Sequence, residues 1–234
     1  MKKATTLLLI ITSITLFSCG PHVEGNGIVT KENHKIGNAT SIDISGQFAV
    51  FLSQGKSSKL AIETDENLHE YIDVSIENNT IKVKTEAYIT EAEELNIYVT
   101  MPDCDNIDLS GAVQLETEGK IKTDYLTIDA SGATEMQLNV NVKRLNLEMS
   151  GASETILSGK AENVEIEASG ACEIEAFKLN AKNMFIDISG AGKADVNAKK
   201  ILVVEISGAG EIRYKGTPTI TQDISGAGSI KKAK

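Results

Sequence analysis

The sequence is poor in aromatic and basic residues. It contains no tryptophan, aromatic residues make up 4% of its 234 positions, and Arg144 and Arg213 are its only arginines. The formal net charge at pH 7 is -10. Binding to nucleic acid and electrostatic adhesion to anionic lipid both depend on an excess of basic charge. The composition therefore argues against both kinds of partner.

The sequence also lacks an uninterrupted apolar run of the roughly 20 residues that a membrane-spanning helix needs. Its most apolar stretch, residues 7–17, follows Lys2 and Lys3 and has the length of the apolar core of a secretory signal. This stretch leads into Leu16-Phe17-Ser18-Cys19, which resembles the lipobox of bacterial lipoproteins, although Phe17 is bulkier than usual.

The lipobox resemblance implies that Cys19 carries the lipid and that residues 1–18 are removed as a signal peptide. Residues 19–24 would then form a lipidated tether to the membrane. Gly20 stands where some lipoproteins have the aspartate that retains them in an inner membrane, which favours the outer membrane. The alternative is an ordinary secretory signal with an incidental cysteine.

A Ser-Gly pair recurs along the chain. Its serines are Ser45, Ser110, Ser131, Ser150, Ser169, Ser189, Ser207 and Ser225, with spacings of 18 to 21 residues from Ser110 onward. With each serine as position 0, positions -5, -3 and -1 are apolar in nearly every copy, and only Gln222 breaks the -3 column. This period of 2 is typical of strands and not of helices.

Each copy predicts a strand, a glycine turn, a shorter strand and a variable turn. Such a unit buries one face but cannot form a core alone, so consecutive units must stack about 4.8 Å apart. We therefore predict an all-β fold, a right-handed parallel β-helix of 18–21-residue coils, over residues 106–230. Alanine follows glycine in each of the last seven copies, which suits a column where stacked coils leave little room. A basic tail, residues 231–234, would blunt an exposed sheet edge.

Residues 25–105 are less regular. The interval between Ser45 and Ser110 could hold three coils, but the pattern there is blurred. Residues 74–83 predict two strands joined at an Asn-Asn turn, and residues 65–71 predict a short helical turn. We interpret residues 25–105 as an irregular, partly antiparallel N-terminal cap on the β-helix.

The two remaining cysteines are not expected to pair. Cys104 and Cys172 occupy different corners of the repeat, three coils apart, which corresponds to roughly 14 Å along the axis. A disulfide tolerates a Cα separation of only about 7 Å. We predict two free thiols.

Several of these features together resemble a known family. They are Gly25-Asn26-Gly27, the strand into Ser45-Gly46, the region ending at Met101-Pro102 and the SGAG copies of the repeat. They are similar to the family called putative auto-transporter adhesin, head GIN domain, over residues 25–230. The resemblance implies an exported β-helix and supplies no catalytic residues.

Position -2 is acidic in every copy of the repeat. The residues are Asp43, Asp108, Asp129, Glu148, Glu167, Asp187, Glu205 and Asp223, and position +4 adds Glu135, Glu154, Glu173 and Glu211. Stacking would place position -2 in one outward column, where neighbouring like charges destabilise each other. The column is either a solvated, aggregation-resistant face or, from Asp108 to Asp223, a candidate ligand or cation face. A calcium site needs six to eight oxygen ligands that converge on one point, and a flat column of carboxylates does not provide them. We therefore predict no metal site. We also predict no cofactor.

The repeated serines do not predict a nucleophile. A catalytic serine needs a nearby base, and His22, His34 and His69 all lie outside the repeat. We therefore predict no catalytic residues and a non-enzymatic cell-envelope lipoprotein that contacts the membrane through its lipid and binds a glycan or protein. A carbohydrate-active enzyme, which would need a groove of carboxylates with lysine, is one alternative. A structural envelope spacer without a large apolar patch is the other.

Overall fold

The computed structural model describes residues 21–234. The predicted signal peptide and the lipidation of Cys19 lie outside the described residues. The described chain is all-β, with a single short 3-10 helix. In chain order the strands are β1 (His22–Glu24), β2 (Val29–His34), β3 (Ser41–Gln54), β4 (Lys59–Asp65), β5 (Ile72–Glu77), β6 (Thr80–Thr85), β7 (Tyr88–Glu91), β8 (Leu95–Met101), β9 (Asn106–Glu118), β10 (Ile121–Lys215), β11 (Thr219–Gly226) and β12 (Ser229–Lys232). The helix, Glu66–Tyr71, follows β4 and confirms the predicted helical turn.

Equivalent positions of the repeat lie side by side with parallel backbones. Ser45 of β3 pairs with Ser110 of β9, and Ser110 pairs with Ser131 of β10. At the other end Ser207 of β10 pairs with Ser225 of β11. We call this in-register arrangement of β3 and β9–β12 the stack. The 95 residues of β10 would measure about 300 Å if they were straight, so the chain must turn within each repeat to return to its own edge.

Glycine at position +1 permits this close stacking. Gly151 has φ +102°, and a Cβ built on it would overlap the carbonyl oxygen of Gly132 in the preceding repeat. The same overlap recurs between Gly132 and Gly111 and between Gly226 and Gly208. A side chain at this corner would therefore both strain the backbone and push two repeats apart.

The inward columns form the core, as their alternation predicts. Positions -5, -3 and -1 are almost completely buried in the middle repeats, for example Leu145, Leu147 and Met149. Position +3 also faces inward. The expectation that alanine at +2 occupies a confined column is wrong, because these alanines lie on the outer surface and are exposed. The confined position is +3, one residue later, where Gly192 is buried against Cys172 and Ile188.

The segment between β3 and β9 covers one edge of β3. Strands β6 and β8 pair with this edge in parallel, β4 pairs with β8 antiparallel, and β2 pairs with β4 antiparallel. The chain then returns to the opposite edge of β3 as β9. The residues between Ser45 and Ser110 therefore do not form three further repeats in series, because the two serines are direct neighbours.

The predicted hairpin in this region is confirmed. Strands β5 and β6 are antiparallel, and Glu77 pairs with Thr80. Asn78 and Asn79 connect them with φ angles of 50° and 65°. Two consecutive positive φ values are characteristic of a type I′ turn, and asparagine tolerates this conformation better than most residues.

Both cysteines of the described chain are free and buried, as predicted. Burial, with a smaller effect from the charges of Asp105 and Asp103, raises the pKa of the Cys104 thiol to about 12. In residues 21–234 no helix is long and apolar enough to cross a membrane.

Candidate functional site

Two grooves run along the stack, one on each side of the glycine corner. The first is lined by positions -2 and 0, and we call it the serine groove. The second is lined by positions +2 and +4 together with the segment 89–96, and we call it the alanine groove. Their volumes are about 470 and 1040 Å³, respectively. Each is elongated because stacking repeats the same side chains at every level.

The serine groove contains most of the predicted acidic column. Its lining includes Asp43, Asp108, Asp129, Glu148, Glu167 and Asp187, together with serines at position 0 such as Ser131 and Ser150. Asp108 pairs in register with Asp43 on one side and with Asp129 on the other. Glu205 and Asp223 pair with each other beyond the end of this groove. The structure thus brings the predicted residues into one outward column.

Asp108 and Asp129 interact directly within this column. Partial burial, followed by the charge of Asp129 and a hydrogen bond between the two carboxyl groups, raises the pKa of Asp108. Asn106 Nδ2 donates to Asp108 Oδ2 at 2.7 Å and offsets part of this effect. Burial and the charge of Asp129 therefore both favour the protonated form of Asp108.

A lysine stands at the cap end of the acidic column. Lys82 of β6 pairs with Asp43 in the sheet, and its ammonium group lies 3.1 Å from Glu77 Oε2. The hydrogen bond and charge of Glu77 raise the pKa of Lys82, with a smaller contribution from Asp43. Within the part of the chain that the structure describes, no group of three or more His, Cys, Asp or Glu side chains is arranged to hold a metal ion.

The alanine groove has an apolar floor. The floor is formed by the exposed position +2 alanines Ala112, Ala133, Ala152, Ala171, Ala191 and Ala209. The half-buried Leu95 adds apolar surface at the β3 end, whereas Phe48, Ile89 and Val113 border the groove but are buried in the core. Alternation along each repeat directs these alanines outward, and no larger side chain of residues 21–234 fills the space above them.

The segment 89–96, from the end of β7 to the start of β8, lines the β3 end of the alanine groove. Its position depends on Asp65, a fully buried carboxylate at the end of β4. Asp65 Oδ2 accepts a hydrogen bond from the Glu93 amide at 2.8 Å, and Oδ1 accepts one from the Gly27 amide at 2.6 Å. The Gly25 amide in turn donates to the Glu91 carbonyl at 2.8 Å. The buried Asp65 side chain therefore joins the N-terminal segment to residues 89–96 of the groove lining.

The Gly-Asn-Gly sequence noted above fits around this carboxylate. A Cβ on Gly25 would lie 2.5 Å from the carboxyl carbon of Asp65, so only glycine allows the approach. Gly27 has φ +76°, which favours glycine for its conformation. The Asn26 amide donates to Asn67 Oδ1 at 2.9 Å. The motif is thus explained by packing and hydrogen bonding around Asp65.

The walls of the alanine groove are acidic. Its lining includes the exposed glutamates Glu91, Glu93, Glu94, Glu135, Glu154 and Glu173 and one lysine, Lys193. Sequence reasoning identified three of these glutamates at position +4 but not the groove. The available signal was the outward phase of the position +2 alanines. The contribution of residues 89–96 to the lining is a long-range contact that no local pattern reveals.

The family comparison confirms the family resemblance, although Gly25-Asn26-Gly27 lies outside the matched residues. Residues 38–218 match the family described as putative auto-transporter adhesin, head GIN domain. The chain belongs to this family. A comparison with curated proteins found no match.

Crystal structures of several bacterial proteins share the fold. A putative adhesin from Bacteroides fragilis matches with a TM-score of 0.87 and 24% identity, covering 90% of this chain and 100% of that one. A putative adhesin from Parabacteroides merdae matches with a TM-score of 0.74 and 23% identity over 92% of this chain and 100% of that one. A protein from Parabacteroides distasonis described as a putative lipid binding protein matches with a TM-score of 0.70 and 26% identity, covering 91% and 100%.

Proposed function

We propose that the protein is a non-enzymatic binding protein displayed on the cell surface and anchored through lipid on Cys19 in the outer membrane. Its stack would be a right-handed parallel β-helix, because parallel crossovers in one sheet are almost always right-handed. The in-register pairing of successive repeats supports this winding. Membership in an adhesin family supports association with the envelope.

The observation that carries the binding role is the elongated shape of the two grooves. Repeats that stack in register present the same groups at regular intervals, which suits an extended partner better than a small substrate. Enzymes and small-molecule sites usually enclose their ligand in a concave pocket instead. The apolar floor of the alanine groove also favours binding over a purely structural spacer, since exposed apolar surface commonly marks an interaction site.

Protease accessibility on intact cells tests this proposal. Cells that express the full chain are treated with a protease too large to enter the envelope, and the domain is followed by immunoblotting. Cleavage on intact cells is the expected result for a surface-binding protein. Protection on intact cells with cleavage after lysis would overturn surface display.

The Cys19→Ala variant is the control for the anchor. It removes the thiol that the lipid requires, so the domain should leave the membrane fraction. If this variant remains in the membrane fraction, the lipid anchor is wrong, whatever the protease result.

A further inference from the structure

In the described chain, the lining of the alanine groove combines six glutamates with a single lysine, Lys193. Some exposed carboxylates elsewhere on the stack have basic partners one repeat away, such as Asp124 with Lys143 and Glu211 with Lys231. Among residues 21–234, none of the six groove glutamates forms an ion pair with a lysine or arginine. Glu135 accepts only a hydrogen bond from the Gln114 side chain, at 3.4 Å. Carboxylates repeated about 4.8 Å apart repel one another, and a cationic ligand would remove that repulsion.

We propose that the alanine groove binds an extended polypeptide segment rich in lysine or arginine. These side chains have an apolar stem and a charged tip. The stems would cover the alanine floor while the tips reach the glutamates that line the groove, such as Glu154 along its length and Glu93 at its β3 end. No other common side chain matches an apolar floor and an acidic rim at once. This proposal deepens the proposed function by naming the chemistry of its partner, and it rests on that function for access to the groove in the cell.

The length of the floor sets the length of the segment. Ala112 and Ala209 are separated by five repeat steps, or about 24 Å at the spacing of neighbouring strands. An extended chain advances about 3.4 Å per residue, so about seven residues would cover the floor. The groove is open along this length, which allows a segment of a larger partner to lie in it.

Binding is measured by fluorescence anisotropy with the purified full chain in detergent at physiological ionic strength. The probe is a labelled heptapeptide of alternating lysine and alanine, compared with the same peptide carrying glutamate in place of lysine. The lysine peptide should bind and the glutamate peptide should not. Absence of binding by the lysine peptide would overturn the proposal.

Two matched triple variants distinguish binding in the alanine groove from general attraction to the negative charge of the protein. Replacement of Glu135, Glu154 and Glu173 by glutamine should weaken binding of the lysine peptide about tenfold, since three exposed charge pairs together contribute about that much. Replacement of Glu148, Glu167 and Glu205 by glutamine removes the same charge from exposed position -2 and should change affinity less than about twofold. Equal weakening by both variants would show non-specific attraction and overturn the proposal.

The Ala152→Leu variant tests the floor without changing charge. Ala152 is exposed, so the substitution should leave the circular dichroism spectrum and melting temperature unchanged while it occupies the groove. Binding should weaken to a similar degree, and an unchanged affinity would overturn the role of the floor. Peptide binding in solution combined with protease protection on cells would leave the groove proposal standing and overturn surface display. Cleavage on cells without peptide binding would leave surface display standing and overturn the groove proposal.

Discussion

Ile188 and Gly192 fill the same part of the interior. A Cβ on Gly192 would lie 3.0 Å from Ile188 Cγ2 and 2.5 Å from Cys172 Sγ. The last three repeats all combine isoleucine at position -1 with glycine at +3, whereas the repeats with Thr134 and Cys172 at +3 have alanine at -1. In these five repeats the two positions therefore compensate each other in volume, as a close-packed interior requires.

This compensation predicts non-additive stability changes at Ile206 and Gly210. A Cβ on Gly210 would lie 2.9 Å from Ile206 Cγ2, so Gly210→Cys should cost about 1 to 3 kcal/mol through overpacking. Ile206→Ala should cost about 2 to 5 kcal/mol by leaving a cavity. The double variant recreates the native pair Ala168 and Cys172 and should be at least about 1 kcal/mol more stable than the sum. Free energies of unfolding from urea titrations give the coupling, and simple additivity would contradict shared packing.

Substitution of a glycine at position +1 should destabilise the protein by more than its positive φ angle alone explains. Gly151 and Gly119 have similar φ angles, 102° and 94°, but only Gly151 lies against the backbone of a neighbouring repeat. Gly119→Ala should destabilise the protein by about 1 to 2 kcal/mol, the cost of a left-handed conformation. Gly151→Ala adds overlap with the Gly132 carbonyl and should cost more than about 4 kcal/mol. Equal melting temperatures for the two variants would show that backbone approach is not limiting.

The sequence predicts the stack well because each repeat states the same local preference. Apolar alternation at positions such as Leu145 and Leu147, and glycine at +1, determine which side chains face inward and where the chain turns. The segment between β3 and β9 is less predictable because β4, β6 and β8 depend on long-range pairing with β3 and with one another. The acidic column follows from periodicity. The alanine groove does not, because its lining includes residues 89–96.

We expect the buried carboxylate of Asp65 to link the N-terminal segment to residues 89–96 of the alanine groove. Asp65→Asn keeps one side-chain oxygen as an acceptor, but its side-chain NH2 group then faces the backbone N–H of either Gly27 or Glu93. One buried donor then loses its partner, and stability should fall by about 2 to 3 kcal/mol. Hydrogen exchange at the Glu93 amide should accelerate more than exchange in the middle of the stack. Asp124→Asn, which breaks the exposed pair with Lys143, should change stability by less than about 1 kcal/mol. Unchanged exchange at Glu93 in the Asp65 variant would contradict the link.

The contact between Asp108 and Asp129 predicts a pH-dependent gain in stability. The pKa of Asp108 is raised in the folded state, first by burial and then by Asp129, so folding favours its protonated form. That contribution is present at acidic pH and is lost as the pH rises through the folded pKa. Asp108→Asn removes the repulsion while its side-chain oxygen still accepts from Asn106 Nδ2. The variant should therefore be about 0.5 kcal/mol more stable than the wild type at pH 7, with the difference vanishing near pH 3. Glu167→Gln, at an exposed position of the same column, serves as the control. Melting curves between pH 3 and pH 8 measure both variants, and a gain at Asp108 that does not decrease in acid would show that carboxylate repulsion is not its cause.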